Sequence, residues 1–165
     1  KIYHNRLKAY AAIGYQTIQL GQPTLFGEIS DLSATSEDRQ IFNGTSFFKS
    51  LAKDIAMAKR SIVISSPRLY RVTNNKLVSL LKEQSANGVE VAIVTAINDE
   101  QYEFLQSTGL LITNKPKLRL CTIIIDKSLV WYGSVNALGY NSDKDNIIKM
   151  KDKKLADEIL GIVLT

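Results

Sequence analysis

The 165 residues are enough for one well-buried domain, the 45% apolar content excludes a disordered chain, and no apolar run approaches the ~20 residues needed to cross a bilayer. The single cysteine, Cys121, excludes an internal disulfide framework and fits a reducing cytoplasm, the expected location. The net charge is +5, and its placement is uneven: residues 1–40 carry four basic and four acidic side chains, residues 41–165 seventeen and twelve. An excess confined to the second region suits a polyanion such as nucleic acid, or serves solubility alone.

Residues 1–40 open with HNRLKAYAAIGY, a helix-like pattern interrupted by Gly14, and continue as GQPTLFGEISDLSATSEDRQ, with no sustained period. They read as a linker or the tail of a preceding domain, or else as an extension packing through Leu20, Leu25, Phe26 and Ile29. No charged-then-apolar leader is visible, and a start at Lys1 reads as part of a longer chain. The domain proper is expected over 41–165. Ser46 is placed to cap a helix running to about Ala58, with Phe47, Leu51 and Ile55 as its buried stripe. SIVISSP is a short apolar strand closed by Pro67, and NNKLVSLLKEQSANG a helix ended by Gly88. VEVAIVTA is a second buried strand and DEQYEFLQSTG a third helix. LLITN is a short strand. LRLCTIII and SLVWYGSV are strands joined by a turn at Asp126-Lys127, with Trp131 and Tyr132 on opposite faces and at least one of them in the core. NIIKM is the last strand and KKLADEILGIVL the last amphipathic helix. Strand–helix alternation predicts an α/β domain with a mixed, mostly parallel sheet and helices on both faces.

After the third helix the chain carries an ordered set of polar residues. Asp126 is followed by six residues, KSLVWY, and then by Gly133, Ser134, Val135 and Asn136, with Asp145 further on in DKDNIIKM. This resembles the phospholipase D superfamily, whose signature is H-x-K-x4-D-x6-G-S-x-N, and FFKSLAKDIAMAKRSIVISSPRL resembles that family's first helix and strand. The wording of SLVWYGSVN and DNIIKM is most similar to phospholipase D-like domains at the C-termini of some bacterial helicase-like ATPases. In catalytic members, the resemblance implies, one histidine attacks phosphorus, a second acts as acid and base, and the lysine and asparagine hold phosphate oxygens. Strand residues two apart share a face ~6.6 Å from each other, so H-x-K aims both side chains into one pocket. In this sequence the histidine position holds Arg119 and the lysine position Cys121. The only histidine is His4. An arginine stays protonated and cannot be the nucleophile, so the usual phosphohistidine route is closed to this chain, alone or as a homodimer.

Each residue of the set has an architectural reading beside a functional one. Arg119 either holds phosphate by a bidentate contact or forms an ion pair with Asp145. Cys121 is either a reactive thiol beside a cation or a small buried hydrophobe, the latter favoured by the apolar CTIIID context. Ser134 and Asn136 are either phosphate ligands or turn formers, and Asp126 caps its hairpin. Ser66, Arg68 and Arg71 follow the first core strand, where ligands of open α/β sheets bind, and Tyr70 adds a stacking ring. Lys115 and Lys117 either extend that patch or are solvated. No metal-ligand spacing and no phosphate-binding GxxxxGK[ST] loop appear, and no cofactor is expected. The leading expectation is a degenerate, non-catalytic domain that binds nucleic acid, DNA foremost, within a larger DNA-processing, helicase-like protein. The alternatives are a phosphodiesterase or nuclease with an altered site and a homodimerisation scaffold.

Overall fold

The computed structural model describes residues 39–70, 75–96 and 99–165. All of them belong to one compact unit, Thr35–Thr165. The expectations for 1–38, including His4, and for Arg71 lie outside the described residues.

In chain order the elements are β1 (Arg39–Asn43), α1 (Phe47–Ala56), β2 (Ser61–Ser66), α2 (Lys76–Ala86), β3 (Glu90–Thr95), α3 (Asp99–Ser107), β4 (Leu111–Asn114), β5 (Cys121–Ile125), β6 (Leu129–Gly133), β7 (Asn146–Lys151) and α4 (Lys153–Leu164). The strands form one sheet in the order β1-β7-β6-β5-β2-β3-β4. The sheet is mixed, and its parallel pairing is confined to β2–β3 and β3–β4, where helical crossovers intervene. The remaining neighbours, β2–β5, β5–β6, β6–β7 and β1–β7, are antiparallel. The three-residue turn Asp126–Ser128 reverses the chain between β5 and β6.

The two faces bury separate cores. On one, Leu51 and Ile55 of α1 and Leu77 and Leu81 of α2 pack with Ile62, Ile64, Ile93, Ile123 and Trp131. On the other, Ala156, Ile159 and Val163 of α4 cover Val94, Ile124 and Val130. This division follows from period-2 alternation along each strand. Trp131 is fully buried and Tyr132, on the opposite face, is exposed.

The start of α1 differs from expectation. Ser46 occupies the N-cap position but its side chain makes no capping bond. Asn43 does the work: its Oδ1 accepts from the Thr45 and Ser46 amides at 3.1 and 2.8 Å. Gly88 ends the α2 region as expected, with φ of +89° and Val89 N donating to Gln84 O at 3.0 Å.

One polar group lies inside the first core. Asp54, on the inner side of α1 and 5% exposed, accepts from Trp131 Nε1 at 3.0 Å and pairs with Lys149 Nζ at 2.8 Å. Lys149 Nζ also lies 5.5 Å from the centre of the Trp131 ring, and Phe42 stacks on that ring at 5.1 Å. A carboxylate at this depth is tolerable only because both neighbours donate to it. Asp54→Ala is expected to cost about 3 kcal/mol in urea denaturation, since it strands the indole N–H and the ammonium together. A loss below about 1 kcal/mol would show that water replaces the carboxylate.

Candidate functional site

The turn between β5 and β6 is built on two residues with left-handed backbones, Asp126 at φ +52° and Lys127 at φ +55°. Such conformations cost roughly 1–2 kcal/mol each outside glycine. The Asp126 carboxylate offsets that cost by accepting from three successive amides that lead into β2: Lys59 at 3.0 Å, Arg60 at 2.7 Å and Ser61 at 3.1 Å. Partial desolvation pushes its pKa up. The Ser61, Arg60 and Lys59 amides, with the Arg60 charge, outweigh that and hold the group below the ordinary carboxylate range. The acid of the motif is therefore a clamp at the end of the sheet where β2 begins, rather than a cap on its own hairpin as the sequence suggested.

At the other end of β6, Gly133 faces Cys121 across the β5–β6 ladder and lies against β7 so closely that a Cβ there would collide with the Asn146 carbonyl and Ile147 Cα. That approach sets the loop that follows. Ser134 Oγ donates to Asp145 Oδ1 at 3.2 Å and accepts from the Asn146 amide at 3.0 Å. Asp145 also accepts from the Ser142 amide and hydroxyl at 2.8 and 2.9 Å. The Ser142 amide and hydroxyl, against slight desolvation and with help from Ser134, hold Asp145 below the usual range. Asn136 binds on all sides: Nδ2 donates to the Arg68 carbonyl at 2.8 Å, Oδ1 accepts from the Ser66 hydroxyl, and its amide donates to Asn141 Oδ1 at 2.7 Å. The loop after β6 is thus stitched to the end of β2.

A cleft of about 420 Å³ opens where these segments meet, lined by Arg68, Arg119, Cys121, Ser134, Asn136 and Tyr140, with Pro67, Ala96 and Pro116 as apolar walls. Five residues singled out in the sequence share this cleft. Its position, beyond the carboxyl ends of β2 and β3, is where open α/β sheets place ligands.

Three placements differ from the sequence reading. Ser66 does not line the cleft: it is fully buried, and its hydroxyl is occupied by Asn136 and by the Leu138 amide at 3.1 Å. Arg119 is not an inward-facing strand residue, because β5 begins at Cys121. It is exposed in the preceding loop, where its Nη1 donates to the Leu118 carbonyl at 3.0 Å. The alternative of an Arg119–Asp145 ion pair is not realised, since Asp145 is taken by Ser142 and Ser134. Among the described residues the only ion pair is Asp54–Lys149. Tyr140, 76% exposed, went unnoticed in the sequence: it sits in an irregular loop where no period marks it.

Cys121 is half-buried. Desolvation, with the Asp145 charge second, pushes its thiol pKa up. That is the reverse of what a nucleophilic cysteine needs. Among the described residues no cluster of metal-ligating side chains occurs, and no helix is long and apolar enough to cross a membrane.

A sheet whose antiparallel half feeds a tied loop back to the ligand end of its parallel half sets one polar cleft at the strand ends. The chain belongs to the phospholipase D-like family: the family model described as "Cardiolipin synthase, PLD-like domain" matches residues 51–162. Among solved structures, it resembles Nuc, a phospholipase D family member from Salmonella typhimurium, with a TM-score of 0.63 at 19% identity over 76% of this chain and 91% of that one. NucT from Helicobacter pylori aligns with a TM-score of 0.58 at 18% identity, covering 76% and 92%. TrmBL2, an archaeal chromatin protein whose structure shows a novel mode of DNA binding, aligns with a TM-score of 0.58 at 11% identity over 98% of this chain and 58% of that one. No curated protein matches the sequence.

Two predictions follow from the ionisations. The Asp126 pKa is lowered by folding, so its contribution is complete above the unfolded value of about 3.9 and is lost as pH falls through the folded value. Asp126→Asn should therefore flatten the fall in urea midpoint below about pH 4 relative to the parent chain. Parallel curves would refute the clamp. The Cys121 thiol should react with iodoacetamide at neutral pH more slowly than a free cysteine, with its rate still rising above about pH 9. A fast reaction at pH 7 would reverse the assignment.

Proposed function

We propose that this domain binds nucleic acid without cleaving it, as a degenerate member of its family within a larger DNA-processing, helicase-like protein. One observation carries the reading. Arg68, from the end of β2, and Arg119, from the entry to β5, line the same cleft, and among the described residues neither makes an ion pair. Two uncompensated guanidinium groups on one concavity suit bidentate phosphate contacts. The chemistry of the family has no carrier here. Arg119 and Cys121 stand where the histidine and lysine would be, and the thiol is held protonated. The same raised thiol pKa weighs against the altered-enzyme alternative. The basic excess of 41–165 adds long-range attraction, and TrmBL2, 58% of whose chain aligns with this one, is itself described as binding DNA. A parent chain, a reducing cytoplasm and homodimer formation belong to the same proposal.

The test is binding of labelled single- and double-stranded DNA across a salt series. Log affinity should fall linearly with log salt. Arg68→Ala and Arg119→Ala should each weaken binding and reduce the slope by about 0.7–0.9, one phosphate contact apiece. No phosphodiester turnover should appear. A folded protein that binds neither DNA at low salt would overturn the proposal, and turnover that disappears in Cys121→Ala would replace it with the enzyme reading.

A further inference from the structure

The cleft has an aromatic mouth that the phosphate contacts do not use. Tyr140, 76% exposed, meets Tyr70, 45% exposed, edge to face with ring centres 5.9 Å apart and planes at 75°. Both rings rise from tied backbone: on either side of Tyr140, Gly139 N and Asn141 Nδ2 donate to the Asn136 carbonyl at 3.0 and 2.8 Å. The Tyr70 amide donates to the Leu138 carbonyl at 2.8 Å, and the neighbouring Arg68 carbonyl accepts from Asn136 Nδ2 at 2.8 Å. The backbone beneath both rings is therefore tied before any ligand arrives, which limits the ordering cost of stacking on them.

The cleft also continues. A second groove, about 710 Å³, shares Pro116 and Arg119 with it and adds Lys115, Lys117 and the apolar Leu120 and Ile162. Arg119 is the common wall. The surface thus runs from an aromatic pair, past Arg68 and Arg119, to Lys117 and Lys115. Rings at one end, cations along the path and apolar walls between them form the combination that engages base faces and backbone phosphates together.

From this juxtaposition we infer that the site takes single-stranded nucleic acid, with one base stacked on Tyr140 and the backbone led across Arg119 toward Lys117. The inference rests on the nucleic-acid reading and narrows it. A duplex offers base edges in its grooves but keeps its base faces stacked on each other, so it cannot use Tyr140.

Fluorescence anisotropy with a labelled oligothymidylate, an abasic oligonucleotide of equal length and a duplex of equal length tests it. The parent chain should bind the oligothymidylate most tightly. Tyr140→Ala should weaken that binding roughly 5- to 100-fold while leaving the salt slope and duplex binding unchanged. Tyr140→Phe should retain it, because the ring and not the hydroxyl is used. The abasic strand should bind the parent chain as weakly as oligothymidylate binds Tyr140→Ala. Equal affinity for abasic and thymidylate strands, or no loss in Tyr140→Ala, would overturn the stacking inference while leaving salt-dependent binding intact. Absence of binding to all three probes at low salt would remove the nucleic-acid reading as well. Because Tyr140 is largely exposed, the alanine variant should keep the parent's urea midpoint, which separates lost stacking from lost folding.

Discussion

A carboxylate buried in an apolar core must be paired, and Asp54 meets that constraint with donors from two strands, Trp131 on β6 and Lys149 on β7. No hydrophobic contact on α1 has that directionality, since Leu51 and Ile55 would pack against any apolar surface of suitable shape. The pair fixes which way α1 faces and where it lies along β6 and β7. Those strands frame the Gly133–Asn136 turn, so the placement of the cleft traces back to an ionic contact at Trp131 and Lys149, on the same face of the sheet as Gly133. The position of the site is thus set from within the core.

The residues of the family motif retained here work mainly on one another and on the backbone. Asp126 holds the amides that open β2. Gly133 permits β7 to approach. Ser134 and Ser142 secure Asp145, and Asn136 joins the loop after β6 to the end of β2. Each satisfies a polar group that would otherwise be costly at a chain crossing. A chain that keeps D-x6-G-S-x-N keeps the means of shaping the cleft, whichever residues occupy the two positions ahead of it. Retention of the second half of the motif is therefore evidence for the fold, and evidence about chemistry has to come from positions 119 and 121.

What was legible in the sequence follows from periodicity. The helix stripe of Phe47, Leu51 and Ile55, the buried strands at 61–66 and 90–95 and the hairpin at Asp126-Lys127 each carry a local signal that burial then honours. The edge strand β1 carries none, since Arg39, Gln40 and Ile41 are all exposed and only pairing to β7 makes them a strand. Nothing local in the sequence marks Asp54 as buried, because its partners lie far away along the chain, at Trp131 and Lys149. The alternation of LRLCTIII extends the expected strand three residues ahead of β5 and so takes in Arg119, whereas the chain enters the strand from a turn closed by Leu118 N on Lys115 O at 2.9 Å. Tyr140 carries no local signal either, since only the return of its loop to the Arg68 carbonyl brings it to the cleft.

The electrical character of the cleft separates holding from chemistry. Acid–base catalysis near neutrality needs a group that changes charge there, and histidine is the usual one. Among the described residues there is no histidine. The Cys121 thiol is pushed toward its neutral form, and the Asp145 carboxylate is held in its charged form by the serines around it. Arg68 and Arg119 are of a residue type that keeps its charge throughout the physiological range. On the proposed nucleic-acid reading, such a set supplies a steady positive field. Phosphate attraction needs only that steady field, while phosphoryl transfer needs in addition a nucleophile and an acid. On the proposed reading, Arg119 and Cys121 in place of the histidine and lysine keep the attraction without the nucleophile, and the aromatic mouth at Tyr140 adds a second point of attachment that fixes where along a strand the domain sits.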